Sequence, residues 1–307
     1  MNNSMLRLIG VLALSALAAC GAPVKDDAPP QVVAGYEAVE DEGFFIEAVD
    51  ANLLTAGRAR TEVDYTADDK PGTIVVDTFA RKLYYVMEGG RAMRYAIAVG
   101  REGLSFRGNG VIGRKAKWPS WQPTANMVRS RPDLYGEFAG GLAGGLDNPL
   151  GARALYLYRN GRDSYFRIHG TIQNETIGHA TSAGCIRLFN QDAIELFDRV
   201  DTGTRVKVRS LEESIEIEGP YMDDAYGRAV PDTPENLVQK EKDAVTIVEE
   251  EAAKVAADAK AADAAAKLAA KAEKKRLSAC KRKSIDEADC PALPAVTAEA
   301  YTANGNG

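Results

Sequence analysis

The chain has 307 residues, 45% of them hydrophobic and 27% charged, with a formal net charge of −6. That length suits one globular domain with extensions, or two small domains, and the mild acidity argues against nucleic acid as a partner, which would need a concentrated basic face. No interior stretch approaches the ~20 apolar residues of a membrane-spanning helix.

In chain order, Arg7 precedes an apolar run from Leu8 to Ala19, too short to span a bilayer but suited to the core of an export signal. The run ends Leu17-Ala18-Ala19-Cys20-Gly21, which resembles the lipobox of bacterial lipoproteins. The resemblance implies a signal peptide over residues 1–20, lipidation of Cys20 and a membrane tether; the other reading is an ordinary signal cut after Ala18. Both readings predict export to the periplasm, and Gly21, in place of Asp, points to the outer membrane.

Residues 21–71 read as a tether (Lys25 to Pro30) and a leader without sustained periodicity, lying partly on the main domain. Regular structure is expected from Gly72. Thr73–Asp77 and Lys82–Val86 are β-branched or aromatic runs, and a turn at Glu88–Arg91 leads into Met93–Val99, an antiparallel meander. From Gly100 to Leu150 glycine, proline and tryptophan dominate, which predicts a long ordered loop near a site. Ala154–Tyr158, a turn at Asn160-Gly161 and Tyr165–His169 form a second hairpin that delivers His169 to a strand end.

Past Cys185, Asn190 is a candidate N-cap for a short helix whose Ala193, Leu196, Phe197 and Val200 share one apolar face. Thr204–Val208 closes a mainly β domain over 72–209. A linker is expected over 210–233, an exposed Ala/Lys/Glu-rich helix over 234–283, and a disordered tail over 284–307.

The four cysteines are Cys20, Cys185, Cys280 and Cys290. Exported thiols tend to pair. If Cys20 carries lipid and Cys280 joins Cys290, Cys185 stays free; pairing of Cys185 with a tail cysteine and an inert buried thiol are the alternatives. The two histidines, His169 and His179, both precede Cys185 closely, and an imidazole is the natural acceptor for a thiol proton. His169 is favoured because a strand fixes its backbone, whereas His179 lies in a loop. No further Cys/His pair completes a zinc site, so neither metal nor cofactor is expected.

Ile168-His169-Gly170-Thr171, Ile177-Gly178 and Thr181-Ser182-Ala183-Gly184-Cys185-Ile186-Arg187-Leu188 with Asn190 closely resemble the signature of the L,D-transpeptidase catalytic (YkuD-like) domain. The likeness extends to Pro71–Asp77, to Trp118-Pro119 with Trp121, Pro123 and Thr124, and to Asn148–Ala154. It implies a mainly β, β-sandwich-like domain with one or two short helices, to which the C-terminal Ala-rich helix is appended. It further implies that Cys185 attacks a peptidoglycan stem tetrapeptide before its terminal D-alanine, with His169 as base and the Gly170 carbonyl orienting the ring. Gly184 and Cys185 would hold the oxyanion, and Ser182 and Arg187 would contact substrate; a structural ion pair is the other reading of Arg187. Where many members carry histidine before the Gly-Cys pair, this chain has Ala183. The acceptor would be a diaminopimelate amine, a lipoprotein lysine or, in a carboxypeptidase or hydrolase, water. A non-catalytic wall-binding lipoprotein is the alternative of another class.

Overall fold

The β-branched and aromatic runs after Thr73 form strands in the computed structural model, which describes residues 32–100, 108–181, 185–286 and 290–291. In chain order the elements are β1 (Val39–Asp41), β2 (Phe44–Ile46), β3 (Thr61–Asp64), β4 (Ile74–Asp77), β5 (Lys82–Met87), β6 (Arg91–Ala96) and β7 (Ala98–Gly100). Then come β8 (Gly108–Lys117), α1 (Ala125–Ser130), α2 (Pro132–Tyr135), β9 (Arg153–Arg159), β10 (Arg162–His169), β11 (Ala180–Thr181) and β12 (Ile186–Arg187). The chain continues with α3 (Asn190–Arg199), β13 (Arg205–Val208), α4 (Leu211–Glu218), β14 (Tyr221–Asp223), β15 (Ala229–Pro231) and α5 (Pro234–Arg282).

Eleven strands pair in the order β11-β7-β12-β10-β9-β8-β13-β4-β5-β6-β3. Only Ile97 separates β6 from β7, yet these two lie near opposite ends of that order. The sheet therefore folds back on itself, with Ile97 at the corner donating to the Arg81 carbonyl at 3.1 Å. The mainly β, sandwich-like class is as expected. Ile74, Leu83, Tyr95, Ile97, Leu157 and Ile168 are almost wholly buried between the layers. Burying each such side chain contributes roughly 1.5–3 kcal/mol. Ala193, Leu196 and Phe197 of α3 join the same core, and Lys115 of β8 donates to the Phe197 carbonyl at 2.7 Å, capping that helix with positive charge.

Four expectations need correction. Regular structure begins well before Gly72: β1 and β2 form a hairpin and β3 pairs with β6 as an edge strand. The leader is anchored, since Tyr36 is 1% exposed and donates to Asp192 at 3.1 Å, while Asp41 takes both guanidinium arms of Arg153 at 2.7 Å.

Part of the supposed loop 100–150 is the ten-residue strand β8, in the middle of the sheet between β9 and β13. Its glycines concealed it, and one is required there: a Cβ on Gly113 would stand 2.2 Å from the Tyr158 ring, at a register shift opposite β9.

The 210–233 segment also folds. A Ser210/Glu213 capping box starts α4, and the buried Arg209 binds Glu218 at 2.8 Å and Asp77 at 3.2 Å. Lastly, Phe189 is the N-cap of α3, because the Asn190 amide is committed elsewhere. The long α5 is present, 49 residues and mostly exposed, so about 70 Å in length. Among the described residues no helix is long and apolar enough to cross a membrane.

Candidate active site

β10 and β12 run parallel, with Ile168 opposite Ile186 and His169 opposite Arg187. Both isoleucines are buried in the core. Strand alternation therefore turns Arg167, His169 and Arg187 to the outer face, and Cys185, two residues before Arg187, falls there level with Arg167. The strands beyond continue two cross-strand rows on that face. One runs Arg114, Tyr156, Arg167, with Cys185 next to it, where the Arg167 backbone bonds the thiol; the other runs Ala116, Ala154, His169, Arg187.

The His169 ring is oriented by its neighbour. Its Nδ1 lies 2.6 Å from the Gly170 carbonyl oxygen. A carbonyl only accepts, so Nδ1 carries the proton and the Nε2 lone pair is left to act as a base. The backbone at this point is held by Asn190, which accepts from the Ala152 N–H at 2.9 Å and donates to the Thr171 carbonyl at 3.0 Å. The fit leaves no room for side chains: a Cβ on Gly170 would meet Asn190 Oδ1 at 2.1 Å, and one on Gly151 would meet it at 2.2 Å.

Burial sets the charge states. His169 is 4% exposed and is pushed down to about 3, first by desolvation and then by the Arg187 charge. Cys185 is a free, half-buried thiol. Desolvation raises its pKa, and hydrogen bonding from the Arg167 backbone with the Arg167 and Arg187 charges pulls the other way. Burial thus favours the neutral form of both groups, the thiol of Cys185 and the imidazole of His169.

The two arginines differ. Arg187 is half-buried and donates to Gln173 Oε1 at 3.1 Å, and no carboxylate lies at ion-pair distance from it among the described residues. Tyr135 and Glu175 are its electrostatic neighbours, which brings α2 of the Trp-rich insertion to the edge of the site. Trp121 packs against Tyr135 and Phe138 with ring centres 6.2 and 6.1 Å apart. Arg167 is gripped by both Asp163 oxygens at 2.7 and 2.9 Å and lies over the Tyr156 ring. Sequence reasoning missed Arg167, although its place two residues before His169 on an alternating strand was the available signal.

His179 is elsewhere. It precedes β11, two strand spacings (about 10 Å) from β12, and faces Arg228 and Arg58. Cys280 and Cys290 form a disulfide, leaving Cys185 unpaired. Ser182, Gly184 and Cys20, the expected substrate, oxyanion and lipid positions, lie outside the described residues.

Residues 71–208 match the family model described as the L,D-transpeptidase catalytic domain, YkuD. A protein of Fuscovulum blasticum named as an L,D-transpeptidase in the ATP synthase subunits region is 39% identical over 44% of this chain and 68% of its own length. The L,D-transpeptidase ErfK/SrfK of Salmonella typhimurium is 37% identical over 48% of this chain and 47% of its own. The L,D-transpeptidase YqjB of Bacillus subtilis is 30% identical over 46% of this chain and 74% of its own. The match thus spans less than half of this chain and about half of the Salmonella relative, and it ends before α4. With relatives at 39% and 30% identity matched over two thirds or more of their length, the chain belongs to the L,D-transpeptidase catalytic domain family.

Proposed function

We propose that the chain is a peptidoglycan L,D-transpeptidase in which Cys185 is the nucleophile and His169 the base. The observation that carries this reading is the shared outer face of Cys185 and His169, with His169 Nδ1 held by the Gly170 carbonyl. In the first half-reaction the Cys185 thiol proton passes to His169 Nε2 as Sγ bonds to the carbonyl carbon before the terminal D-alanine of a stem tetrapeptide. The C–N bond then breaks, the amine of D-alanine leaves with the proton from His169, and a thioester remains. In the second, a diaminopimelate amine of a neighbouring stem, or a lipoprotein lysine, gives its proton to His169 and takes the acyl group, restoring the thiol. The amides of Gly184 and Cys185 are assigned to the developing oxyanion, and Arg187, which has no carboxylate partner among the described residues, to a substrate carboxylate.

Water as the acceptor would make the same site a carboxypeptidase. Incubation with purified disaccharide-tetrapeptide and mass analysis of the products separates the two readings. Cross-linked dimers support transfer, tripeptide alone supports hydrolysis, and no D-alanine release contradicts both.

We further propose that the protein is exported and lipid-anchored through Cys20, as the lipobox-like run suggests. The Cys280–Cys290 disulfide supports an oxidising compartment. Membrane fractionation of the wild type and Cys20→Ala tests the anchor, which is contradicted if the variant stays in the membrane fraction.

A further inference from the structure

A cavity of about 440 Å³ opens between the 55–58 turn, β5, β6 and the β14–β15 hairpin, and none of Cys185, His169, Arg167 or Arg187 lines it. Five cationic side chains do: Arg58, Arg81, Lys82, Arg94 and Arg228, against the single acid Asp224. Three of the five are neutralised. Arg81 pairs with Asp223 at 2.6 Å, Lys82 with Glu218 at 2.7 Å, and Arg228 with Asp224 at 2.7 Å.

Among the described residues the other two have no carboxylate at ion-pair distance, although the Asp224 charge reaches Arg58. Arg58 is half-buried and, among the described residues, donates to neutral oxygens, the carbonyls of Thr55 and Asn52 at 3.2 and 3.3 Å and the Thr55 hydroxyl at 3.4 Å. Arg94 is half-buried, lies against Gly57, and has no hydrogen-bond or ion-pair partner among the described residues. A half-buried guanidinium without a counter-ion has lost part of its hydration without replacement, and two facing one cavity leave positive potential there. The neighbours register it: burial and then the Arg228 charge push Arg58 down, and His179 is lowered by burial, Arg228 and Arg58, with Asp224 opposing in both cases without reversing the direction.

We propose that this cavity is a binding site for an oxyanion, a carboxylate or phosphate group, taken by Arg58 and Arg94 with Arg228 beside them. The guanidinium fork matches the paired oxygens of either group. The site is separate from the thiol chemistry and does not depend on it.

The test is calorimetric titration of the full chain with inorganic phosphate and, separately, with glutarate at constant ionic strength. Saturable one-site binding of either anion is expected, and which one saturates assigns the group. Arg94→Gln and Arg58→Gln should each weaken it by about tenfold or more, whereas Arg205→Gln, an exposed charge not lining the cavity, should leave it unchanged. Arg94→Gln breaks no pairing, so it decides the matter should Arg58→Gln fail to fold. Absence of saturation with both anions, wild-type affinity in folded Arg94→Gln, or equal weakening by Arg205→Gln would overturn the proposal.

Discussion

The Nδ1 of His169 stands 2.6 Å from the carbonyl oxygen of Gly170, the very next residue. A strand that turns sharply after its last side chain thus fixes the tautomer of that side chain, with the lone pair on Nε2. No third side chain is needed to orient the base.

The charge states give a pH signature. Cys185 is raised above the ordinary thiol value and His169 is held near 3, so the resting pair is neutral across the physiological range. Alkylation of Cys185 by iodoacetamide should therefore climb continuously from about pH 5 to 9 without a low-pH plateau. A plateau beginning near pH 4 or 5 would show a preformed thiolate. His169→Gln should retain the fold and slow D-alanine release by about 10²- to 10⁴-fold, measured by amino-acid analysis.

Asn190 joins the Ala152 and Thr171 backbones beneath the site. Asn190→Ala would leave two backbone groups without partners, costing about 2 kcal/mol in denaturant unfolding. Turnover should fall further than that destabilisation explains, since the His169–Gly170 turn loses its support. Gly170→Ala should do the same through its 2.1 Å approach to Asn190 Oδ1.

Gly113 offers a test of the strand that its own composition conceals. Its missing side chain makes room for the Tyr158 ring, so Gly113→Val should destabilise by about 2 kcal/mol or more, and much less in a Tyr158→Ala background. Additive losses in the double-mutant cycle would contradict the contact.

The leader should be separable from the catalytic domain only at a cost. Asp41→Ala would strand the Arg153 guanidinium, whose side chain is 4% exposed, and should destabilise by about 3 kcal/mol. The Arg153 hydrogen bonds hold Asp41 below the usual carboxylate range, so its contribution is full above the ordinary Asp value and is lost as pH falls through the depressed one. His169 acts in the same direction. Its neutral folded form stabilises fully above the ordinary imidazole value, and that stability drains as pH falls from about 6.5 toward about 3. Thermal melts between those values should show a steady acid loss, reduced in His169→Gln.

The β hairpin ending at His169, the apolar face of α3 and the long α5 were legible because periodicity and turn residues report them directly. The strand β8 was not, since its three glycines (Gly108, Gly110 and Gly113) read locally as loop, whereas Gly113 is there for its close approach to Tyr158 at a register shift. The leader was opaque for another reason: its order comes from distant partners, Tyr36 with Asp192 and Asp41 with Arg153, which no local pattern contains. In the site, Cys185, His169 and Gly170 could be named from the signature, whereas Arg167 lay outside it and was marked only by its place two residues before His169 on an alternating strand.

The most direct measurement is the intact mass of the full chain after rapid mixing with disaccharide-tetrapeptide and acid quench. A mass increase equal to the disaccharide-tripeptide acyl group is expected, located on Cys185 by peptide mapping and absent from Cys185→Ala, with one D-alanine released per acyl-enzyme. D-alanine release by Cys185→Ala at the wild-type rate, or an acyl group on another residue, would contradict it.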